Sequence, residues 1–274
     1  MHITFTIATV TYNAADTLTA TLRSILAQTH TGIEFLLIDG ASSDDTLRIF
    51  HEHEARLRTH CQGGVTMQSE QDNGLYDAMN KALKLATGNY LIFLNAGDCL
   101  HAPNTLQQVS QLLQSQEHMP DILYGQTDIV DANGKYLRPR HYLAPEQLTQ
   151  ESFLRGMLVC HQAFWPSVSL CKTIPYDTRY RYSADYDWCI RCLQESTHNL
   201  KNLSSLNSFN ALSTFKICQT LNTHQTLINY LDEGLTTRNH RASLIERFHV
   251  MRRHYGLLRT LLSHARMLCS SISR

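Results

Sequence analysis

Apolar positions along the first part of the chain follow two periods in turn. Short apolar runs rich in β-branched residues are each followed by a segment with apolar residues three or four positions apart. The first pattern is typical of buried strands and the second of amphipathic helices. The predicted strands cover 3–13, 33–40, 64–72 and 89–98, and the predicted helices cover 16–28, 42–57, 74–88 and 103–116. This alternation predicts an α/β fold with a single Rossmann-like, mostly parallel sheet flanked by helices.

The pattern changes after about residue 120. Residues 121–139 are predicted to form a hairpin, because Asn133-Gly134 is a typical tight-turn pair. Helices are predicted over 145–157 and 183–195. The Ser-, Asn- and Thr-rich stretch 199–225 follows neither period, whereas about the last 45 residues again follow the helical one.

Composition narrows the class of protein. Apolar residues make up 43% of the 274 positions, which is typical of a soluble globular protein. No apolar run reaches the ~18 residues of a membrane-spanning helix, and the first residues lack the cationic segment of a signal peptide, so we expect a cytoplasmic protein. The eight cysteines show neither disulfide nor zinc spacing, so they are expected to be reduced and largely buried.

The net charge of zero conceals a basic tail. Residues 238–274 contain eight arginines and one acid, whereas the preceding residues carry 16 basic and 23 acidic groups. Apolar residues of the tail recur at helical spacing beside regularly placed arginines; they are Leu244, Phe248, Met251, Tyr255, Leu258, Leu262 and Ala265. Such a helix can lie on an anionic membrane as a peripheral anchor, or its apolar stripe can pack on the rest of the protein. We expect no nucleic-acid partner.

Candidate chemistry lies where the predicted strands end. The carboxyl ends of parallel strands meet at one edge of a sheet, and ligands bind there. Three of these ends are polar: Thr11-Tyr12-Asn13, Asp39-Gly40-Ala41-Ser42 and Asn95-Ala96-Gly97-Asp98. An aromatic ring can stack on a base, one carboxylate can accept from a base N–H, and another can hold Mg²⁺ or Mn²⁺ against a diphosphate. The chain has no G-x-G-x-x-G after the first strand and no P-loop, which argues against dinucleotide enzymes and P-loop NTPases.

The segments "ATVTYNAADTL", "IEFLLIDGASSDDTL" and "SEQDNGLYDAMNKALKLATGNYLIFLNAGD" together resemble family 2 glycosyltransferases of the GT-A fold, densely over about 1–100 and patchily to about 195. The resemblance implies an inverting hexosyl- or N-acetylhexosaminyltransferase that uses a nucleotide-sugar donor, UDP-linked, together with Mg²⁺ or Mn²⁺. It implies a glycan or lipid-linked acceptor in polysaccharide or lipopolysaccharide biosynthesis. It also implies a GT-A domain over 1–215, with a nucleotide-sugar half (about 1–115) and an acceptor half (about 116–215), and a helical basic extension over 216–274.

The resemblance also implies roles for individual residues. Asp98 in "NAGD" matches the family's metal-binding carboxylate, although Asn95 and Gly97 depart from its acid-rich motif. Asp185 in "SADYDW" matches the general base that removes the acceptor hydroxyl proton. The implied nucleotide-binding residues are Thr11, Tyr12, Asn13, Asp39, Ser42, Asp72 and Asn95. Further candidates for the donor-sugar or acceptor pocket are Gly74, Asn80, Lys81, His161, Gln162 and Asp187.

Other interpretations remain open at this stage. Taken singly, Tyr12 can be a packed aromatic, Asp39 a helix cap and Asp185 a helix-terminal acid. A sugar-phosphate nucleotidyltransferase is an alternative, but it would carry a Gly-rich basic loop after the first strand, and "TYNAADTL" contains no basic residue. A non-catalytic carbohydrate-binding protein is a second alternative, although it has no need of three separate carboxylates at the site.

Overall fold

A computed structural model of the protein describes residues 2–206, 220–232 and 240–272. The four strands predicted first form a parallel sheet in the order β3-β2-β1-β4. These strands are β1 (Phe5–Thr11), β2 (Ile33–Asp39), β3 (Gly64–Ser69) and β4 (Tyr90–Phe93). Every residue of β1 and β2 is buried, as expected for central strands that helices cover on both faces.

A helix follows each of these strands, which confirms the predicted alternation. The helices are α1 (Ala15–Leu26), α2 (Thr46–His60), α3 (Leu75–Leu85) and α4 (Thr105–Gln114). α1 turns Leu18, Leu22 and Ile25 into the core, the helical spacing that the sequence contains. The loops after β1, β2 and β3 therefore all lie at the carboxyl edge of the sheet.

A second, mixed sheet lies beside the first, in the order β5-β9-β6-β7, with β8 paired to β6. Its strands are β5 (Cys99–Leu100), β6 (Ile122–Val130), β7 (Tyr136–Pro139), β8 (Phe164–Pro166) and β9 (Thr220–Leu231). β6 and β7 form the predicted hairpin. An isolated bridge between Tyr90 and Ser167 connects the two sheets, so within the described residues the one sheet expected from the sequence is divided at β4.

Two helical predictions are wrong. Over 145–157 the chain forms only a 3₁₀ turn, Gln150–Arg155, which ends where Gly156 takes a φ of 103°. Within the extension predicted to be helical from 216 to 274, residues 220–231 form β9, because backbone pairing with β6 and burial of Leu227 and Ile228 outweigh local preference. The boundary predicted at 215–216 lies outside the described residues, and the division into domain and extension stays a prediction.

The remaining helices are α5 (Val168–Cys171), α6 (Ala184–Leu206), α7 (His240–Tyr255) and α8 (Leu257–Ile272). Gly256 takes a φ of 80° and separates α7 from α8, so the predicted apolar stripe does not continue along one helix. Met251 and Tyr255 of α7 are buried, which confirms packing on the protein for that part of the stripe. Among the described helices, none is both long and apolar enough to cross a membrane.

Sulfur and indole side chains belong mostly to the core. Five described cysteines are free and buried, and Cys99 is half-buried, which confirms the prediction for these six; Cys218 and Cys269 lie outside the described side chains. Trp165 and Trp188 are fully buried. Each indole N–H donates to a backbone carbonyl at 2.7 Å, so neither ring is available to stack on a sugar.

Candidate active site

The carboxylate of Asp39 lies at the end of β2 among hydroxyl donors. Its Oδ1 accepts from Thr11 Oγ1 at 2.9 Å and from Ser42 Oγ at 2.5 Å. Its Oδ2 accepts from the Ser42 backbone N–H at 2.9 Å and from Ser69 Oγ at 2.7 Å. Four hydrogen bonds match the capacity of an ionised carboxylate. Asp39 therefore connects the ends of β1, β2 and β3 by hydrogen bonds and orients Ser42. Its predicted contact with the base of a nucleotide stays a prediction.

Tyr12 and Asn13 form the turn after β1. The Asn13 backbone takes a φ of 48°, a conformation that Asn tolerates better than most residues. Its N–H donates to Ser42 Oγ at 2.8 Å, and its Oδ1 accepts from the Ser43 N–H at 2.9 Å. The fixed turn leaves the Tyr12 side chain 68% exposed, so its ring can stack on a planar base.

Asp72 lies close to the loop after β2. A Cβ at Gly40 would lie 2.6 Å from Asp72 Oδ2, so a side chain at position 40 would displace the Asp72 carboxylate. Asp72 Oδ1 also accepts from the Gly74 N–H at 2.8 Å, and Gly74 takes a φ of 110° immediately before α3. The structure thus brings Asp72 and Gly74 to the same edge as Tyr12.

Two adjoining cavities open at this edge. The large cavity, of about 1250 Å³, is lined by residues that include Tyr12, Asn13, Asp72, Gly74 and Asp98. The small cavity, of about 300 Å³, is lined by Asp185 and His161 among others. Both are lined by Leu75, Tyr76, Asn95, Gln162, Tyr182 and Tyr230, so they share a wall. A ligand in the large cavity can therefore meet one in the small cavity.

Asp98 is buried at the end of the turn that follows β4. Its Oδ2 accepts from Gln162 Nε2 at 2.9 Å and its Oδ1 from the Leu231 N–H at 3.0 Å. Burial raises the pKa of Asp98 to about 7. Gly97 takes a φ of 101°, and a Cβ there would lie 2.7 Å from Leu231 Cδ2. The positive φ and the Leu231 side chain of β9 therefore both disfavour a side chain at position 97.

The residues around Asp98 fit a divalent cation that is bound together with a ligand. Each Asp98 oxygen accepts one hydrogen bond from the described part of the chain, which leaves it a further lone pair. Asn95 Oδ1 is buried without a hydrogen-bond partner in the described part of the chain, and Asn95 lines both cavities. No group of three or more His, Cys, Asp and Glu residues suited to a metal occurs among the described residues. Diphosphate oxygens and water would have to complete the coordination, as Mg²⁺ commonly allows.

Asp185 lies in the first turn of α6, half-buried against the small cavity. Its Oδ1 accepts from Tyr76 Oη at 3.2 Å and from the Tyr186 N–H at 2.9 Å. Oδ2 has no hydrogen-bond partner within the described ranges, so it can accept a proton from a hydroxyl group in the cavity.

Asp187 points away from both cavities, so its assignment to the sugar or acceptor pocket is wrong. It is fully buried and contacts Arg191 Nε at 2.6 Å and His254 Nε2 at 2.7 Å. Burial alone would raise the pKa of Asp187, but His254 and Arg191 outweigh it, and the pKa is lowered. Asp187 therefore ties α6 to α7.

Asn80 and Lys81 of α3 also lie outside the lining of both cavities. The Asn80 amide exchanges two hydrogen bonds with the Tyr176 backbone, at 3.1 and 2.7 Å. Lys81 Nζ lies 2.8 Å from Glu70 Oε1 and donates to the Gln71 carbonyl at 3.2 Å. Asn80 and Lys81 connect α3 to the segments around Tyr176 and Gln71. Their assignment to the donor-sugar or acceptor pocket is therefore wrong.

His161 and Gln162 do reach the cavities. His161 Nε2 lies 2.6 Å from Tyr176 Oη, and burial lowers the pKa of the imidazole, so it stays neutral at physiological pH. Gln162 lines both cavities and contacts Asp98. Gln162 therefore connects Asp98, the candidate metal-binding carboxylate, with the wall between the two cavities.

Several lining residues were missed from the sequence. The large cavity is also lined by Tyr180, Arg181, Tyr182, Tyr230 and Leu231, and the small one by Arg138, Arg140 and Arg247. The aromatic and basic "RYRY" at 179–182, shortly before Asp185, was a usable signal for Tyr180, Arg181 and Tyr182. The arginines come from segments far apart in sequence, so no local pattern connected them.

Comparison with known proteins identifies the family. Residues 6–174 match the model for glycosyl transferase family 2, and the chain belongs to that family. It is 36% identical over 190 residues to a PGL/p-HBAD biosynthesis glycosyltransferase of Mycobacterium bovis, covering 69% of each chain. It is 26% identical over 215 residues to the Escherichia coli UDP-Glc:alpha-D-GlcNAc-diphosphoundecaprenol beta-1,3-glucosyltransferase WfgD, covering 76% of this chain and 75% of that one. The protein is therefore a glycosyltransferase that acts on a nucleotide sugar, rather than a nucleotidyltransferase or a non-catalytic binding protein.

Solved structures support the predicted GT-A fold. Staphylococcus aureus TarS 1–349 in complex with UDP-GlcNAc superposes with a TM-score of 0.65 at 19% identity, covering 91% of this chain and 65% of that one. The chain thus spans slightly less than two thirds of that structure. The Pyrobaculum calidifontis mannosyltransferase PcManGT in complex with GDP-Man and Mn²⁺ superposes with a TM-score of 0.54 at 15% identity, covering 100% of this chain and 76% of that one.

Proposed function

We propose that this protein is an inverting, metal-assisted glycosyltransferase that uses a UDP-sugar, with Asp185 as the general base. The observation that carries the proposal is the half-buried Asp185 carboxylate, which faces a small cavity that shares a wall with the large cavity. The large cavity holds the UDP-sugar donor, whose uracil ring stacks on Tyr12. The small cavity holds the acceptor hydroxyl.

The reaction follows from this arrangement. The acceptor oxygen attacks the anomeric carbon as its proton passes to Asp185 Oδ2, while Tyr76 Oη holds Oδ1. The bond from the anomeric carbon to the diphosphate oxygen breaks, and its electron pair leaves with the diphosphate. Attack from the face opposite the leaving group inverts the anomeric configuration. Asp98 and Asn95 would hold Mg²⁺ or Mn²⁺, which when bound neutralises charge on the diphosphate.

Substitution of Asp185 tests the proposal without knowledge of the acceptor. The rate is measured as hydrolysis of UDP-glucose and of UDP-GlcNAc by water in the presence of Mn²⁺, followed by the UDP that is formed. Titration of the protein with UDP measures the affinity of the donor site. Asp185→Asn should lower the hydrolysis rate by about 100-fold or more and leave UDP affinity unchanged. Asp16→Asn is a matched control, because Asp16 also lies in the first turn of a helix but lines neither cavity. A wild-type rate in Asp185→Asn would reject the base, and failure of UDP to bind the wild type would reject the donor site.

A lipid-linked glycan acceptor and a peripheral position on the cytoplasmic face of a membrane complete the proposal. WfgD is named for a diphosphoundecaprenol acceptor, and this chain is its relative. Four leucines of α8 are at least half exposed: Leu257, Leu258, Leu261 and Leu262. At ~100° per residue they share an arc of about 140°, with the exposed Arg266 beside it. Such a face fits the interface of an anionic membrane.

A further inference from the structure

Three arginines gather around the small cavity, although they come from separate parts of the chain. Arg138 belongs to β7, Arg140 follows that strand, and Arg247 belongs to α7. Among the described residues, Asp185 and Asp232 are the acids that line the same cavity. The cluster is thus next to the carboxylate assigned as the base.

The acids do not neutralise this cluster. Arg138 Nη2 lies 3.3 Å from Asp232 Oδ1, and both side chains are about half exposed, so this pair is weak. Arg140 donates to the Leu158 carbonyl at 3.3 Å. Neither Arg140 nor Arg247 has an ion-pair partner in the part of the chain that the structure describes, and Arg247 Nε is buried without a hydrogen-bond partner there.

Guanidinium groups without counter-ions are costly to hold in a partly closed cavity. Their planar forks match the oxygens of a phosphate group and bind them with charge-assisted hydrogen bonds. We infer that the arginines of the small cavity bind a phosphate or diphosphate on the acceptor, next to the hydroxyl that Asp185 deprotonates. This inference rests on the proposed function, since it assigns the small cavity to the acceptor. The acceptor class is therefore a sugar attached to a phosphate ester.

A short isoprenyl diphosphate tests this subsite. With the full chain saturated by UDP and Mn²⁺, citronellyl diphosphate is titrated by calorimetry and compared with citronellol, which lacks the charge, and with methyl glucuronide, which carries a carboxylate. We expect only the diphosphate to bind. Arg140→Met and Arg247→Met should each weaken it about tenfold, because each removes charged hydrogen bonds to the anion. The lysine variants should bind more tightly than the methionine variants, because they keep the charge.

The control variant is Arg56→Met, an exposed arginine of α2 that lines neither cavity. It should bind the diphosphate as the wild type does. Affinity for UDP alone is measured for every variant and should not change. Equal binding of diphosphate, alcohol and glucuronide, or undiminished binding by both methionine variants, overturns the inference. Parallel loss of UDP affinity also overturns it, because the arginines would then serve the donor. Failure of UDP to bind the wild type would instead reject the proposed function.

Discussion

Asp98 shows how one side chain can be fixed by a distant strand. Both of its oxygens accept hydrogen bonds, from Gln162 and from the β9 backbone, and Leu231 of that strand also fills the space that a side chain at 97 would need. The turn therefore holds a single acid, with Asn95 Oδ1 as the neighbouring oxygen. A cation at this place must rely on the ligand for much of its coordination.

Asp98→Asn should reduce UDP affinity in Mn²⁺ by about tenfold or more, down to the value that the wild type shows in EDTA, because the amide lacks the anionic charge. Calorimetric titration of UDP with Mn²⁺ and with EDTA measures the difference. The exposed Glu117→Gln variant should keep the wild-type difference. An Asp98→Asn protein that still binds UDP more tightly in Mn²⁺ than in EDTA would show that Asp98 does not hold the metal.

At the scale of elements, α6 carries Asp185 and is held by α7 through one buried acid. Asp187 contacts both Arg191 and His254, so it connects the helix of the candidate base to the C-terminal helices. Removing one partner of such a buried group leaves the others without compensation. The placement of Asp185 therefore depends on His254, which lies 67 positions after Asp187 in the chain.

Asp187→Asn should lower the free energy of unfolding at neutral pH by about 3 kcal/mol. The folded state lowers the pKa of this carboxyl below its ordinary 3.8, so its contribution is complete above that value and is lost as the pH falls through the folded pKa. The difference between wild type and variant in urea unfolding should hold down to about pH 5 and shrink below about pH 4. The exposed pair Asp45–Arg48 provides the control, since Asp45→Asn should change stability little. A variant as stable as the wild type would contradict the role of Asp187.

The elements differ in how far the sequence alone predicts them. The first four strand–helix units can be predicted from the sequence, because the spacing of apolar residues within each segment matches the face that the segment buries. β9 could not be predicted, since Asn222 and Thr223 are polar and its place is fixed by pairing with β6 about 100 residues earlier. The family pattern singled out Asp98 and Asp185, and each lines one of the two cavities, while their roles stay predictions. Arg140 and Arg247 could not, because only the folded chain brings them to one cavity.

At the scale of the whole molecule, the basic tail is attached to an acidic body. Arg253 of α7 lies 3.0 Å from Asp177, and Arg259 of α8 contacts Glu151. Ser263 of α8 donates to the Leu154 carbonyl. These contacts fix one side of α8 against the 3₁₀ turn, and the exposed leucines lie on the other side. The tail therefore both docks on the protein and presents an apolar face.

The full chain should float with vesicles of phosphatidylcholine and phosphatidylglycerol at low salt and be released at high salt, because arginine attraction to anionic lipid is screened by salt. Leu258→Asp combined with Leu262→Asp should abolish flotation, since it places two charges in the apolar face. Leu143→Asp is the matched control, because Leu143 is 63% exposed but lies outside α8. Flotation of the double variant like the wild type would show that the leucine face is not the contact. A wild type that stays at the bottom of the gradient would reject membrane association by this tail. UDP affinity is also measured for the wild type, the double variant and Leu143→Asp. If it is the same in all three, any loss of flotation comes from the changed surface of α8.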